Sequence, residues 1–414
     1  MSLILHIALS HLTGRKRQTL VSTLGVAMGV GFSIAMAALM EGSQMDFIAH
    51  IVDYMPHVVV KDEMREPSRQ PVQLAYPDGA VTIRGLKPKE EIRGIKDAPS
   101  KISELDAMPG IKVAPALRVQ AFLRYGGKDV SVGLVGVDPM RERTASHLAS
   151  DLTQGSLEAL PGAANGLIVG AGLVKKLGLE LNSTVTVIAP SGVIMKMKVV
   201  GIFRTGIISL DNSEVYTLIK KAQIFHGRPN VINQIRLRLE DSLRAPEIAK
   251  QIEARWGYRT ESWQESNEGI LSAFVVRNMV MFATVSAILV VASFGIFNVI
   301  STVVHEKTRD IAILKSLGFS ESDMRRVFLI EGLIVGLIGM FIGWALGFGL
   351  CQILGTIRFK VQFMTEMKGF LLHYSFIHYI LSGGLAVGSA ILAAYLPARK
   401  AAKLNPVEII RGAA

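Results

Sequence analysis

Between Thr19 and Met40 the chain reads TLVSTLGVAMGVGFSIAMAALM, 22 residues without a single charge. A helix rises about 1.5 Å per residue, so about 20 apolar residues cross a hydrocarbon core some 30 Å thick. Three further runs reach that length: Asn278 to Val304, Gly332 to Thr356, and Gly369 to Ala398. Four such runs predict four membrane-spanning helices, with one large water-exposed insertion between the first and the second. The first run is too long for the apolar stretch of a cleaved signal peptide, although Ala35-Met36-Ala37 has the small-residue pattern of a cleavage site.

Charge supports this division. The 414 residues carry a net charge of +11, which by itself would suit a nucleic-acid binder. Residues 41–277, however, hold 30 Lys and Arg against 27 Asp and Glu, and the remaining residues hold 15 against 7. The basic excess therefore flanks the apolar runs, where the positive-inside rule requires it. Without a basic stripe interleaved with aromatics, no nucleic-acid partner is expected.

Arg15, Lys16 and Arg17 precede the first run, Lys307, Arg309, Lys315, Arg325 and Arg326 separate the second from the third, and Arg399, Lys400, Lys403 and Arg411 follow the fourth. Positive-inside reasoning puts these segments on the cytoplasmic side. The expected order is an amphipathic N-terminal helix over 1–17, spans at 18–40, 278–304, 327–356 and 370–398, and a cytoplasmic loop at 305–326. An external domain over 41–277, a short external loop at 357–369 and a cytoplasmic tail at 399–414 complete it. Gly25-x-x-x-Gly29, and Gly336, Gly339, Gly343, Gly347 and Gly349 in the third run, permit close helix approach without naming the partner helix.

The insertion reads as α+β. Val58 to Val60 is a short strand, Ser100 to Met108 a helix with Ser100 as N-cap, and Ala245 to Trp256 a second helix. Gly126-Gly127 between Phe122–Tyr125 and Val130–Val137 marks a hairpin, because a tight two-residue turn needs positive φ. AGLVKKLGL, within 165–181, is helical. Thr184–Ile188 and Lys196–Phe203 alternate as strands around the turn Pro190-Ser191-Gly192, and Ile235–Leu239 and Tyr258–Ser262 are strands. Residues 62–99 read as a long loop or hairpin. Two subdomains are expected, an outer one from 41–139 and 229–270 and a β-rich insert from 140–228.

Chemistry-bearing motifs are few. No Gly-x-x-x-x-Gly-Lys-Ser/Thr cradle for ATP phosphates occurs, and neither a Gly-x-Ser-x-Gly elbow nor a spaced histidine–cysteine metal set is present. The one cysteine, Cys351, excludes a disulfide within the chain. Catalytic and metal-binding residues are therefore not expected. Ionisable candidates in the apolar runs are Glu331, His373 and His378.

One loop is distinctive. His305 to Phe328 reads HEKTRDIAILKSLGFSESDMRRVF, a charged start, an apolar stretch and a glycine stop, the pattern of a short amphipathic helix. This segment resembles the coupling helix of ABC transporter permeases of the FtsX/MacB/LolC–LolE family. LMEG leading to YMPHVVV (39–60), VGAGLVKKLGLELNSTVTVIAP (169–190) and PARKAAKLNPVEIIRGA (397–413) are similar to the same family, most of all to its LolC/LolE-type lipoprotein-releasing members.

The resemblance implies a MacB-type periplasmic domain on four spans in a bacterial inner membrane, with both termini cytoplasmic. ATP and Mg would be bound by a separate ATPase subunit dimer, and no cofactor by this chain. Glu306, Lys307, Arg309, Asp310, Ile311, Leu314, Lys315, Leu317 and Gly318 would contact that ATPase. A second permease, identical or different, would complete the core. A lipoprotein or other lipidic substrate would meet the outer ends of the first two spans at Phe32, Met36, Met40, Phe274 and Val275, where methionine flexibility suits varied acyl chains. LolC-type members dock a periplasmic carrier through a projecting hook, whereas the corresponding turn here, Pro190-Ser191-Gly192, is short. The alternatives are a MacB-like exporter of peptides or small molecules working with an adaptor, and an FtsX-like transmembrane regulator that transports nothing.

Overall fold

The computed structural model describes residues 3–63, 65, 75, 94–357, 371–405 and 409. Most of the loop expected at 62–99, most of that at 357–369 and most of the last residues of the tail lie outside the described residues. The chain divides into two compact units, one built from Met1–Asp46, Ser272–Phe359 and Lys368–Ala414, the other from Phe47–Leu271 with Lys360–Met367.

Among the described residues, four helices are long and apolar enough to cross a membrane: Lys16–Tyr54, Glu268–Glu306, Glu321–Thr356 and Phe376–Ala402. The first continues well past the expected end at 40, because nothing from Glu41 to Tyr54 breaks a helix before Pro56. The second begins at Glu268, ahead of the expected 278. The fourth begins later than the expected 370. Residues 371–374 are not helical, and Ser375 caps the helix by accepting from the Ile377 N–H. A separate N-terminal helix, Leu3–Gly14, buries Ala8 and packs Ile4, Ile7 and Leu12 against the core of the helical unit.

Glycines on the third long helix decide how that unit packs. A Cβ at Gly343 would lie 2.6 Å from Val30 Cβ, one at Gly339 2.7 Å from Val26 Cγ1, and one at Gly347 3.0 Å from Ile34 Cβ. These residues, four apart, form one face against the first long helix. Gly332 and Gly336 form a second face against Ala394 and Ala390 of the fourth. The glycine pair expected to make close contact in the first run does not. Gly25 meets open space, and a Cβ at Gly29 would have ordinary contact with Ile288 and Leu289.

Among the described residues, ten strands form the sheet of the other unit: β1 (Val58–Lys61), β2 (Ile111–Tyr125), β3 (Lys128–Val137), β4 (Leu152–Gly155), β5 (Gly166–Gly170), β6 (Thr184–Ile188), β7 (Ile194–Phe203), β8 (Glu214–Leu218), β9 (Gln234–Leu239) and β10 (Thr260–Ser262). Their order is β10-β1-β9-β2-β3-β8-β5-β7-β4, and β6 pairs with both β2 and β7. The β6 pairing closes β2, β3, β8, β5, β7 and β6 into a ring, which spares these strands an open edge. Inside it Leu117, Leu123, Leu134, Leu167, Val187 and Val199 are buried. A second core, with Val58, Leu105, Leu237, Ala249 and Trp263, lies under the strands β10, β1 and β9.

The two cores correspond to two subdomains that share one sheet through β2. Its start pairs with β9 over Ile111–Ala116, and its end pairs with β6 over Phe122–Arg124. The insert therefore begins inside β2, not at 140, since Leu117 to Leu134 already belong to the ring core. The Gly126-Gly127 turn has φ of +56° and +77°, the conformation that the dipeptide predicts. Ser100 is not an N-cap. The helix runs Ala98–Asp106 with Asp97 at the cap and proline in its first turn, where its fixed φ fits.

His57 ties the end of the first long helix to the sheet. Its Nε2–H donates to the Val52 carbonyl at 3.0 Å, and Nδ1 accepts from the Leu239 N–H at 3.1 Å. This uses the neutral ring, and burial lowers its pKa from 6.5, helped by the Arg238 charge and opposed by backbone hydrogen bonds and Asp53. A depressed histidine stabilises fully above its unfolded value, and that stability is lost as pH falls from about 6.5 through the lower folded value.

The glycine contacts and the His57 ring can both be tested by thermal unfolding in detergent. Gly343→Leu is expected to destabilise the protein by about 1–3 kcal/mol through overpacking against Val30, whereas Gly349→Leu, which meets open space, leaves the thermal midpoint unchanged. The midpoint of the wild type falls on acidification below about pH 6.5, and His57→Gln shows a shallower fall over that window.

Candidate functional site

The second long helix ends at Glu306, and a nine-residue helix, Thr308–Ser316, follows almost at once. Thr308 Oγ1 donates to the carbonyls of Val304 and His305 at 2.9 and 2.7 Å, holding the junction. At the far end Gly318 takes φ +103°. The Gly318 N–H donates to the Lys315 carbonyl at 3.1 Å and the Phe319 N–H to the Leu314 carbonyl at 3.2 Å, a Schellman stop. Ser320 then opens the third long helix with a reciprocal capping box to Asp323. The short helix is thus fixed at both ends by backbone-satisfying contacts.

Its inward face is apolar. Ile311 is 2% exposed and Ala312 is fully buried, while Leu314 is half-buried against the same helical core. Lys315 Nζ donates to the carbonyls of Ala402 and Leu404 at 2.8 and 2.7 Å, at the C-terminal end of the fourth long helix. Carbonyls there lack helical partners, and a cation also complements the helix dipole.

The nine residues expected to contact an ATPase therefore fall into two groups. Ile311, Leu314 and Lys315 are used inside the chain, because the helix must bury one face to stay docked, and Gly318 serves the turn. The outward face carries Glu306, Lys307, Arg309, Asp310 and Leu317, the last 75% exposed. Glu306 pairs with Arg15, and Lys307 pairs with Asp310 at 2.7 Å. Ile313, which is not among the nine, is 46% exposed on the same face, and its two-residue offset from Ile311 already puts it on another side of a helix. Two exposed apolar side chains thus stand among charges of both signs on a docked helix.

At the other end of the first two long helices, Arg277 organises the residues expected to meet substrate. Its Nη2 donates to the Met40 carbonyl and to Gln44 Oε1, both at 3.0 Å, and its guanidinium lies 4.7 Å from the Phe274 ring centroid. Met40 and Phe274 are thereby brought together around one cation. Phe32, Met36 and Met40 fall four apart along one stripe; Phe32 and Val275 are exposed, and Met36, Met40 and Phe274 half-buried.

Two of the three ionisable candidates of the apolar runs, Glu331 and His378, pair through their side chains, and His373 bonds through its backbone N–H. Glu331, buried, accepts from His11 Nδ1 at 2.6 Å, which fastens the N-terminal helix to the third long helix. His378 pairs with Glu41, and the His373 N–H donates to the Ala38 carbonyl at 3.0 Å. Among the described residues, no cluster of three or more metal-binding side chains occurs.

Comparison with known proteins bears on these features together. The family model of the MacB-like periplasmic core domain matches residues 19–255, and that of the FtsX-like permease C-terminal region matches 282–406. The lipoprotein-releasing system transmembrane protein LolC of Neisseria meningitidis serogroup B is 27% identical over 98% of this chain and 98% of its own length. The macrolide export ATP-binding/permease protein MacB of Hyphomonas neptunium is 25% identical over 94% of this chain and 58% of that longer protein. Among solved structures, the periplasmic region of MacB from Actinobacillus actinomycetemcomitans is similar at 13% identity and a TM-score of 0.32, covering 51% of this chain and 91% of that one. With one model covering more than half its length and the other most of the remainder, the chain belongs to the FtsX/MacB/LolC–LolE family of ABC transporter permeases.

Proposed function

We propose that this chain is the permease subunit of an ABC transporter that releases lipoproteins from the outer leaflet of the bacterial inner membrane. In this reading a separate ATPase dimer binds ATP and Mg, docks on the outward face of Thr308–Ser316 and moves it. A second permease, a copy or a partner of LolC/LolE type, completes the membrane core, and both termini are cytoplasmic. The observation that carries the reading is the short helix itself. One face is locked into the helical core by Ile311, Ala312 and Lys315, and the other presents Ile313 and Leu317. A push on the exposed face is therefore delivered to the bundle without being absorbed by a loose loop.

Helix length supports the stalk that such a mechanism requires. The first and second long helices each have 39 residues, roughly 58 Å at the helical rise, well beyond a hydrocarbon core. Lipoprotein release is favoured by similarity to LolC over nearly the full length of both chains. Export of a peptide or small molecule with an adaptor is the second reading, favoured by the turn between β6 and β7. Ser191 Oγ donates to the Phe225 carbonyl at 2.7 Å and holds that turn down, where a carrier-gripping hook would project.

Replacing Ile313 or Leu317 with Asp is expected to cut co-purification of the ATPase at least about tenfold, equivalent to about 1.4 kcal/mol, while the chain still inserts and folds. Unchanged co-purification contradicts the docking face. A photoreactive residue at Met40 is expected to label lipoprotein during release. Efficient release with no label there rejects this substrate contact, and labelling by an exported peptide instead selects the second reading.

A further inference from the structure

In the α/β unit a cavity of about 200 Å³ opens over β1, β9 and β8, beside the helix Pro139–Ala145. Val59, Arg236 and Trp263 line it on one side, and on the other Glu142, with Leu148 and Tyr216 from a further buried cluster that includes Val135 and Phe203. Val59 and Arg236 are register partners on β1 and β9, so their side chains share one sheet face.

One charged group in this cavity is incompletely satisfied, and its charged neighbour is held at long range. Glu142 is 1% exposed, yet its Oε2 has no hydrogen-bond partner among the described residues. Its Oε1 lies 3.6 Å from Arg236 Nη1, and Arg236 Nη2 reaches Gln234 Oε1 at 3.4 Å. The Arg236–Glu142 separation is long for charged partners, which settle near 2.7–2.9 Å when free to do so. The surrounding charges are well paired by contrast. Glu214 accepts from the Tyr216 hydroxyl at 2.9 Å and meets Arg118 at 2.8 Å, and Lys61 meets Glu261 at 2.6 Å.

A buried carboxylate oxygen without a donor is costly, and an adjacent buried guanidinium held at long range compounds the cost. A simple cation would satisfy Glu142 but be repelled by Arg236, and a simple anion would face the reverse. A molecule carrying an ammonium and a carboxylate a few bonds apart satisfies both. Asp151, also on the wall, supports a polar ligand. Burial and the nearby Asp211 raise its carboxyl pKa to about 7, so near neutrality it can donate or accept.

We propose that this cavity binds a small zwitterion of the amino-acid or dipeptide class, with its ammonium on Glu142 and its carboxylate on Arg236. Glu142 sits on the helix Pro139–Ala145, which packs on β2 and β9, and Arg236 sits on β9 itself. The ligand would therefore pin that helix to β9. The site is independent of which substrate the permease releases.

The test uses the intact protein in detergent with glycylglycine as probe, and with N-acetylglycylglycine and glycylglycinamide as analogues lacking one charge each. Glycylglycine at tenfold above its Kd is expected to raise the thermal midpoint by about 2–4 °C, and neither analogue to match it. Glu142→Gln keeps the shape and removes the charge, and is expected to weaken calorimetric binding at least about tenfold. Val59→Phe fills the cavity while keeping both charged groups in the chain and is expected to abolish binding, which keeps the test decisive if Glu142→Gln fails to fold. No shift with glycylglycine in the wild type overturns the proposal. Equal shifts from the capped analogues, or binding that survives Val59→Phe, overturn it as well.

Discussion

Lys315 places an ammonium group on the carbonyls of Ala402 and Leu404, and the position of the loop between the second and third long helices depends on it. Hydrogen bonds to a charged group contribute about 1.5–3 kcal/mol each, so two of them on one nitrogen rival the burial of a large apolar side chain. Ile311 and Ala312 bury the same face of the helix, and the Schellman stop and capping box fix its exit. The loop is consequently part of the helical core, and only its outward side is left for a partner. That division, one face committed and one face offered, gives the family resemblance a physical meaning here.

The helical core depends in turn on missing side chains. The third long helix presents glycines to two neighbours at once, Gly339, Gly343 and Gly347 to the first long helix and Gly332 and Gly336 to the fourth. In an apolar solvent hydrophobic burial gives helices little reason to associate, so backbone approach and buried polar pairs carry the association. His11 with buried Glu331 supplies such a pair, and His378 with the more exposed Glu41 adds one at the margin.

Much of this is legible in the residues. Uninterrupted apolar length reveals four spans, the Gly126-Gly127 dipeptide reveals its hairpin, and Ala245–Trp256 is bounded as read, by an Ala-Pro start and a glycine stop. Other features are hidden for identifiable reasons. Strands β4, β5 and β8 are short and buried on both faces, or lack alternation, so period-two reading passes over them. Helix ends are misjudged where no breaker stands, as between Met40 and Tyr54. The inward and outward sides of the short helix are harder still. Ile311, Ile313 and Leu314 are alike in type, and although spacing separates Ile313 from the other two, only the packing of the bundle shows which side is buried. Lys315 cannot be distinguished from its exposed neighbours, because its partners lie nearly ninety residues away in the chain.

Whether the short helix is a docked element with one free face is tested most directly by crosslinking in cells. A photoreactive amino acid is placed in turn at Leu317, Ile313 and Ile311, and the adducts are identified. The expected result is that 317 and 313 capture the ATPase subunit and that 311 captures only this chain's own helices. Capture of the ATPase from 311, or of nothing but this chain from 317 and 313, contradicts it.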